Sequence, residues 1–595
     1  MKLLAKYKAG LFYAAMAAGL FIYLQKEYAF HFYFIEQNQL FLNTWDYLSG
    51  QLMQPGGFAA AVAGFCVQFF LLPYAGAAII TFWLTGVSVL TCLLLRKAAP
   101  QAGWLALSLF PAVALLLVHL DFNYLPSGTV ACLLALAAVN LVTLAKGFAF
   151  RLAGHAIAAV ALFCLAGPAY ILYVSLAVVY EWFKRPPRYY FIFAVPAGAL
   201  LTGILSVYWA VCGEYRLIFF PDGYYHTGLS PKPVIYFAWI SLFVLLVLAF
   251  VLQRRKAGAI KRKWAATFLQ VSVILLAVAF LAWGTRAYTN KRSVQVEEFD
   301  YYSRTGQWDK IIERTRGKLT NYLILNYANL ALMQKGEFGD KLFSIDQHGL
   351  EGLVANWDKT SHISIVHSDI YFAMNLVAPA QEQAFEANVS SIGSGNPRIL
   401  KRLVQTNLIY GAYPVAGKYL DILEQTFAYR GWAANHRRFL YNDAAVEADS
   451  LLGGKRKSLV RNSNSILSFT KGIDTEFFRM AGGNPAGNPP VVMAGAICLL
   501  SKDVTRFKAM IEQYYGTPDL PLLPTPFQEA VILLAENDPD YWKRFNVSPA
   551  TANRFSAFKK QVVAANRSGG ANSLPSLLAG AFGDTYWYYF MFKNI

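Results

Sequence analysis

Two carboxylates stand just outside the apolar stretches that fill the first half of the chain. Glu36 follows the first stretch, in FHFYFIEQNQ, and Asp121 sits in the short connection HLDFNYLPSG. Ionisable side chains at a membrane boundary are costly unless they pair or act. Both are therefore candidates for chemistry, and neither residue type names a substrate. A second polar set lies in CGEYRLIFFPDGYYHTG, with Arg216, Asp222 and His226. Asp222 and His226 suit the orienting of a substrate, although a lone loop histidine is more often structural. Arg286, Lys291 and Arg292 follow at the end of the apolar half. Asp46 is ten residues beyond Glu36, a spacing that puts the two on different faces of any single helix.

These residues need a scaffold. The 595 residues are 56% hydrophobic and 15% charged, with long apolar runs before Tyr288 and most acids after Gln295. Two domains follow, 1–288 and 289–595. The first reads as an all-α polytopic membrane domain of about nine spans. They are placed at Ala9–Gln25, Tyr74–Leu95, Gly103–His119, Ser127–Ala145, Leu152–Ala166, Pro168–Phe183, Tyr189–Val211, Val234–Leu252 and Trp264–Arg286, with outer loops 26–73 and 212–233. An inside N-terminus then puts Arg96, Lys97, Lys146, Arg151, Lys184 and the 254–263 cluster on the cytoplasmic side. That path requires Phe58–Leu72 to lie along the outer interface and a helix break at Gly167–Pro168. A rival path lets Phe58–Leu72 cross and runs 152–183 as one span, which strands two basic pairs on the wrong side.

The start MKLLAKYKAGLFYAAMAAGL reads as an uncleaved signal anchor, because QKEYAFHFYF offers no small-residue cleavage site. The expected location is a bacterial inner membrane, with the second half in the periplasm. The net charge of +18 is concentrated in loops that set topology, so a nucleic-acid partner is not expected. Six scattered cysteines without CxxC spacing argue against a disulfide framework or zinc site. His362 and His367 miss the i, i+4 spacing of a helical metal pair. No GxSxG, Walker-type loop or HExxH occurs.

After Ala287 the pattern becomes that of a soluble helical domain. Paired amphipathic helices with turns at Gly306, Gly336–Gly339 and Gly411–Pro414 predict a TPR-like α-solenoid. The aromatic segment DTYWYYFMFKNI is too short to span, and packs on the neighbouring helices or on a bilayer surface.

The layout of residues 1–290 resembles the GT-C superfamily of membrane glycosyltransferases. The resemblance rests on Glu36 in FIEQNQ within the first outer loop, the interfacial stretch 57–72, and Asp121 in HLDFNY. Where that family usually has two adjacent acids in the first loop, this chain has Glu36–Gln37, which weakens the case for metal binding. The resemblance implies transfer of a sugar or oligosaccharide from a polyprenyl-phosphate-linked donor to a protein, lipid or glycan acceptor. It implies Glu36 as general base, with Asp121 orienting the acceptor or binding a divalent cation. Asp46, Arg216, Asp222, His226, Arg286, Lys291 and Arg292 are then the substrate-binding candidates, the cations serving a leaving phosphate. The helical second half would present the acceptor. The alternative from another class is a non-catalytic membrane scaffold whose solenoid recruits envelope proteins.

Overall fold

The computed structural model describes the chain apart from residues 1, 39, 101–102, 185–188, 210–213, 226–230, 255–262, 318, 320, 357–359, 392–394, 458, 460–489, 568–573 and 594–595. Among the described residues it is all-helical, with two isolated β-bridges and no strand. Two compact units form: unit 1 comprises Met1–Val294 with Gln425–Ala428, and unit 2 comprises Gln295–Glu424 with Tyr429–Ile595.

In unit 1 the helices are α1 (Lys2–Gln37), α2 (Trp45–Leu52), α3 (Gly57–Val67), α4 (Ala75–Ala98), α5 (Leu109–His119), α6 (Ser127–Val142), α7 (Phe148–Ala166), α8 (Ala169–Lys184), α9 (Tyr189–Tyr208), α10 (Tyr215–Phe219), α11 (Val234–Arg254) and α12 (Lys263–Tyr288). Five are long and apolar enough to cross a membrane: Lys8–Gln37, α4, α7, α11 and Trp264–Tyr288. The stretch Gly103–His119, expected to span, is helical only from Leu109. At 1.5 Å per residue α5 is about 16 Å long, roughly half a hydrocarbon core.

The largest departure from expectation is at α1. The helix runs on through Gln37, bending at Tyr28 (φ −136°, ψ 21°) without stopping. Residues 26–37 are therefore helix where a loop was expected. Beyond the bend, Phe32, Phe34, Ile35, Glu36 and Gln37 are all buried.

The break at Gly167–Pro168 is present, and its physical cause is visible. Gly167 adopts φ +64°, ψ −135°, between α7 and α8. Gly56 packs directly on it: a Cβ on Gly56 would stand 3.2 Å from the Gly167 Cα, and the Gly56 N–H donates to Cys164 O at 2.8 Å. The Tyr224 hydroxyl bridges the gap, donating to Ala166 O and accepting from Ala169 N–H at 2.9 Å. One phenol thus satisfies two backbone groups that the break leaves open.

Contacts sort the connections of unit 1 into two ends. At one, Lys184 Nζ donates to Lys97 O at 3.0 Å, Lys97 reaches Thr143 Oγ1 at 3.3 Å, and Arg254 lies over the Phe183 ring at 4.8 Å. Arg151 on α7 and Glu181 on α8 form a buried ion pair at 3.1 Å. At the other end, His31 Nε2 donates to His119 O at 2.7 Å, and Phe34 meets Phe122 edge-to-face at 5.5 Å. Residues 31 and 34 of α1 thus meet residues 119 and 122, on either side of Asp121.

Unit 2 opens with α13 (Lys291–Arg304), α14 (Trp308–Arg314), α15 (Tyr322–Gln334), α16 (Phe338–Lys341), α17 (Ser361–Ala373), α18 (Val377–Val389), α19 (Pro397–Tyr410) and α20 (Tyr413–Glu424). Successive pairs are joined by one recurring turn. Gly306, Gly336, Asn375 and Gly411 take φ between +65° and +75°. The next N–H in each case returns to a carbonyl five residues back: Gln307 to Tyr302, Glu337 to Leu332, Leu376 to Tyr371, Ala412 to Asn407. This is the Schellman closure of a helix C-terminus. Lys502 and Asp503 repeat it between Pro490–Leu500 and Val504–Tyr514.

The aromatic helix Tyr586–Phe592 packs into unit 2. Its Tyr589 hydroxyl donates to Leu500 O at 2.7 Å and accepts from Gly349 N–H at 3.1 Å, while Trp587 Nε1 donates to Glu529 O at 2.9 Å. Lys593 pairs with Asp346.

Candidate functional site

The loop HLDFNY meets residues 215–225 and 231–236 at the end of unit 1 that holds residues 31–37. Tyr124 and Tyr225 form an antiparallel bridge, and the Leu125 N–H donates to Tyr224 O at 2.8 Å. Gly128 permits this approach, since a Cβ there would stand 2.5 Å from the Tyr124 hydroxyl and 2.8 Å from the Tyr224 ring.

On this frame Asp121, 5% exposed, is fully engaged. Its Oδ1 accepts from the Asn123 N–H at 3.1 Å and the Asn123 amide at 3.3 Å, closing an Asx turn. Its Oδ2 stands 3.1 Å from Lys232 Nζ. Asp222, in the 3-10 turn Pro221–Tyr224, accepts from Arg216 Nε and from the Tyr236 hydroxyl on α11. In both pairs the carboxylate is buried and the cation is open: Lys232 is 32% exposed and Arg216 53%. Asp222 raises the Arg216 guanidinium above its ordinary range, so this cation stays charged. Burial, and after it the Asp121 charge, push the Tyr225 hydroxyl between the two pairs upward, keeping it protonated.

Glu36 reaches the same end of the unit on the last turn of α1 and is 3% exposed. A carboxylate there meets the negative end of the helix dipole as well as burial. Its neighbours His31 and Phe34 make the contacts to His119 and Phe122 described above. From His119 a hydrogen-bonded chain leads inward, Nε2 to Thr129 Oγ1 at 2.8 Å and on to the Tyr124 hydroxyl at 3.0 Å.

None of the other sequence candidates pairs with Asp121 or Asp222 among the described residues. Asp46 is exposed in the first turn of α2, where the helix dipole favours a negative charge. Arg286, Lys291 and Arg292 are exposed and form no ion pair among the described residues. His226 lies outside the described residues. On α17, Asp369 pairs with Arg398 and Arg402, away from any metal-like grouping with His362 or His367. Among the described residues no group of three or more His, Cys, Asp or Glu is placed to hold a metal ion.

Lys232 went unread in the sequence. It sits between Pro231 and Pro233, a pair that reads as punctuation before α11, and it is the cation paired with Asp121. The signal is weak: flanking prolines restrict the backbone at this position but say nothing of the partner its side chain meets.

No curated protein and no solved structure matches the chain. A family model described as a family of unknown function, DUF6057, matches residues 4–593, and the chain belongs to that family.

Proposed function

We propose that the chain is a membrane glycosyltransferase of the GT-C type, moving a sugar from a polyprenyl-phosphate-linked donor to an acceptor at the outer face of a bacterial inner membrane. In this reading unit 1 is the membrane domain, with about nine spans, some of them short. Unit 2 is a periplasmic, TPR-like solenoid that recruits the acceptor. The observation that carries the reading is the pairing of buried carboxylates with open cations beside the Glu36 end of α1. Lys232 and Arg216 are held in place by Asp121 and Asp222 while part of each cation's side chain stays exposed, an arrangement suited to a phosphate.

The chemistry assigns each group one task. The acceptor hydroxyl loses its proton to Glu36 as its oxygen bonds to the anomeric carbon. The bond from that carbon to the phosphate oxygen breaks, and its electron pair leaves on the polyprenyl phosphate. Lys232 and Arg216 stabilise that charge. Asp121 thereby changes role, from orienting the acceptor to positioning Lys232. With Lys232 on Asp121, the charge stabilisation of the leaving group has a source within the chain, whether or not a divalent cation takes part.

The test is a glycoconjugate profile of the envelope in wild type, a deletion strain, Glu36→Gln and Lys232→Met at matched protein levels. Loss of one glycan with build-up of its lipid-linked precursor in all three altered strains is the expected result. An unchanged profile in the deletion strain rejects the enzyme. A second reading, a non-catalytic scaffold, is favoured by the fact that Asp121 and Asp222 already have ionic partners, and that unchanged profile would select it.

A further inference from the structure

Unit 2 carries an open groove of about 430 Å³ between α18, α19 and α20. Its wall is apolar, with Phe385, Leu403, Val415 and Tyr419, and its rim is acidic, with Glu382 and Glu386. Phe385 is 53% exposed and Val415 40%, so the apolar wall is open to a ligand. Glu382 and Glu386 make no ion pair among the described residues. Standing four apart on one helix face, they repel each other and destabilise α18. In a chain of net charge +18, an uncompensated acidic pair beside an exposed phenylalanine is a local exception.

We infer that this groove docks an extended peptide bearing two basic side chains two residues apart, followed by an aliphatic or aromatic one. The spacing comes from helix and strand geometry. Glu382 and Glu386 are separated by one helical turn, about 6 Å along the axis. Side chains i and i+2 of an extended chain point the same way and are about 6.6 Å apart. A Lys-x-Lys segment therefore matches the two carboxylates, and the next side chain on that face, at i+4, reaches the wall formed by Phe385, Leu403 and Val415. Charge sets register and the apolar wall supplies affinity. This deepens the proposed role of unit 2 as the acceptor-recruiting half and rests on it.

The experiment uses the full chain in detergent micelles and a fluorescein-labelled peptide containing Lys-Ala-Lys-Ala-Leu, read by anisotropy. A control peptide replaces both lysines by glutamates. The lysine peptide should bind, with affinity falling about tenfold or more in Glu382→Gln/Glu386→Gln and in Phe385→Ala. All three sites are at the surface, and circular dichroism of each variant checks that the fold is kept. Equal binding of the lysine and glutamate peptides, or binding untouched by both variants, overturns the inference. So does self-association of the chain that Phe385→Asp abolishes, which would make the occupant a second copy. The glycan profile separates the two ideas. Peptide binding with an unchanged profile in the deletion strain keeps the groove and rejects the transferase. A lost glycan in that strain without peptide binding does the reverse.

Discussion

Both units bury aspartates against cations, and they do so in opposite ways. In unit 2, Arg398 on α19 bridges Asp300 on α13 and Asp369 on α17, and Arg402 donates to Asp369 at 2.8 Å. The arginines are only 14% and 16% exposed, and Arg402 also lies 3.6 Å over the Phe372 ring. Every group is enclosed, so the network fastens three helices. In unit 1 the acids are equally deep, but Lys232 and Arg216 stand open. The depth of the acid is common to both. The exposure of its cation separates a fastening from a site that can receive an anion.

The contrast is broken most directly at Asp369. Asp369→Ala leaves two guanidinium groups enclosed without their shared partner and should cost about 3–5 kcal/mol, measured by denaturant unfolding of unit 2. Burial pushes this carboxyl up, but Arg398 and Arg402 outweigh it and hold it below the usual range. Its contribution is therefore full above the ordinary carboxylate value and is lost as pH falls through the depressed one. The variant should lose that acid sensitivity. A cost under about 1 kcal/mol would erase the distinction between the units.

Glu529 sharpens the comparison from the other side, as a buried carboxyl with no ion pair among the described residues. Its Oε2 accepts the Tyr586 N–H at 2.7 Å, and burial pushes it up to about 8 from an ordinary 4.5. A raised acid contributes stability that is full below 4.5 and disappears as pH rises toward 8. Glu529→Gln should match wild type near pH 4 and exceed it by at least about 1 kcal/mol at pH 8, followed by thermal melts. Equal stability at both pH values would show that the carboxyl has the mobility to reach water.

In unit 1 the expected effects on stability are smaller. Asp121→Asn keeps the acceptor for the Asn123 N–H, and the part-exposed Lys232 is rehydrated, so the cost is about 1 kcal/mol or less. Arg216→Met leaves the buried Asp222 carboxylate with the Tyr236 hydroxyl alone and should cost about 1–2 kcal/mol. If the proposed transferase reading holds, both should nevertheless abolish turnover of the lipid-linked donor, seen as precursor accumulation. A loss above about 3 kcal/mol in either would move the Asp121 and Asp222 pairs into the same class as Arg398.

Much of this frame is legible in the residues themselves. Gly167–Pro168 announces its break, and Gly306 and Gly411 mark hairpin turns, because glycine is the usual occupant of positive φ. Asn375 and Lys502 make the same turn without that signal, and their hairpins are harder to see. The extension of α1 is illegible for a related reason. FHFYFIEQ contains neither glycine nor proline, and its aromatic residues fit an interfacial loop as well as a buried helix. What decides is the burial of Phe32, Phe34 and Ile35 against other elements, which composition does not encode. At the candidate site the acids were readable as costly residues. Their partners were not, because Lys232 is 111 positions from Asp121 in sequence and the bridge from Tyr124 to Tyr225 that joins the loops is tertiary.

The packing of Tyr586–Phe592 has a consequence for how the protein is made. The hairpins of unit 2 join neighbours in sequence, so each can form soon after its residues emerge during synthesis. Gly349, by contrast, waits for Tyr589, 240 residues later, and Asp346 waits for Lys593. Until those residues arrive, the faces around Phe343 and Leu500 have no cover, and a nascent unit 2 is a sticky intermediate that invites chaperones. A ribosome stalled before residue 586 would therefore release a chain with formed hairpins and an open core, and quality-control proteases would have a long interval in which to act on it.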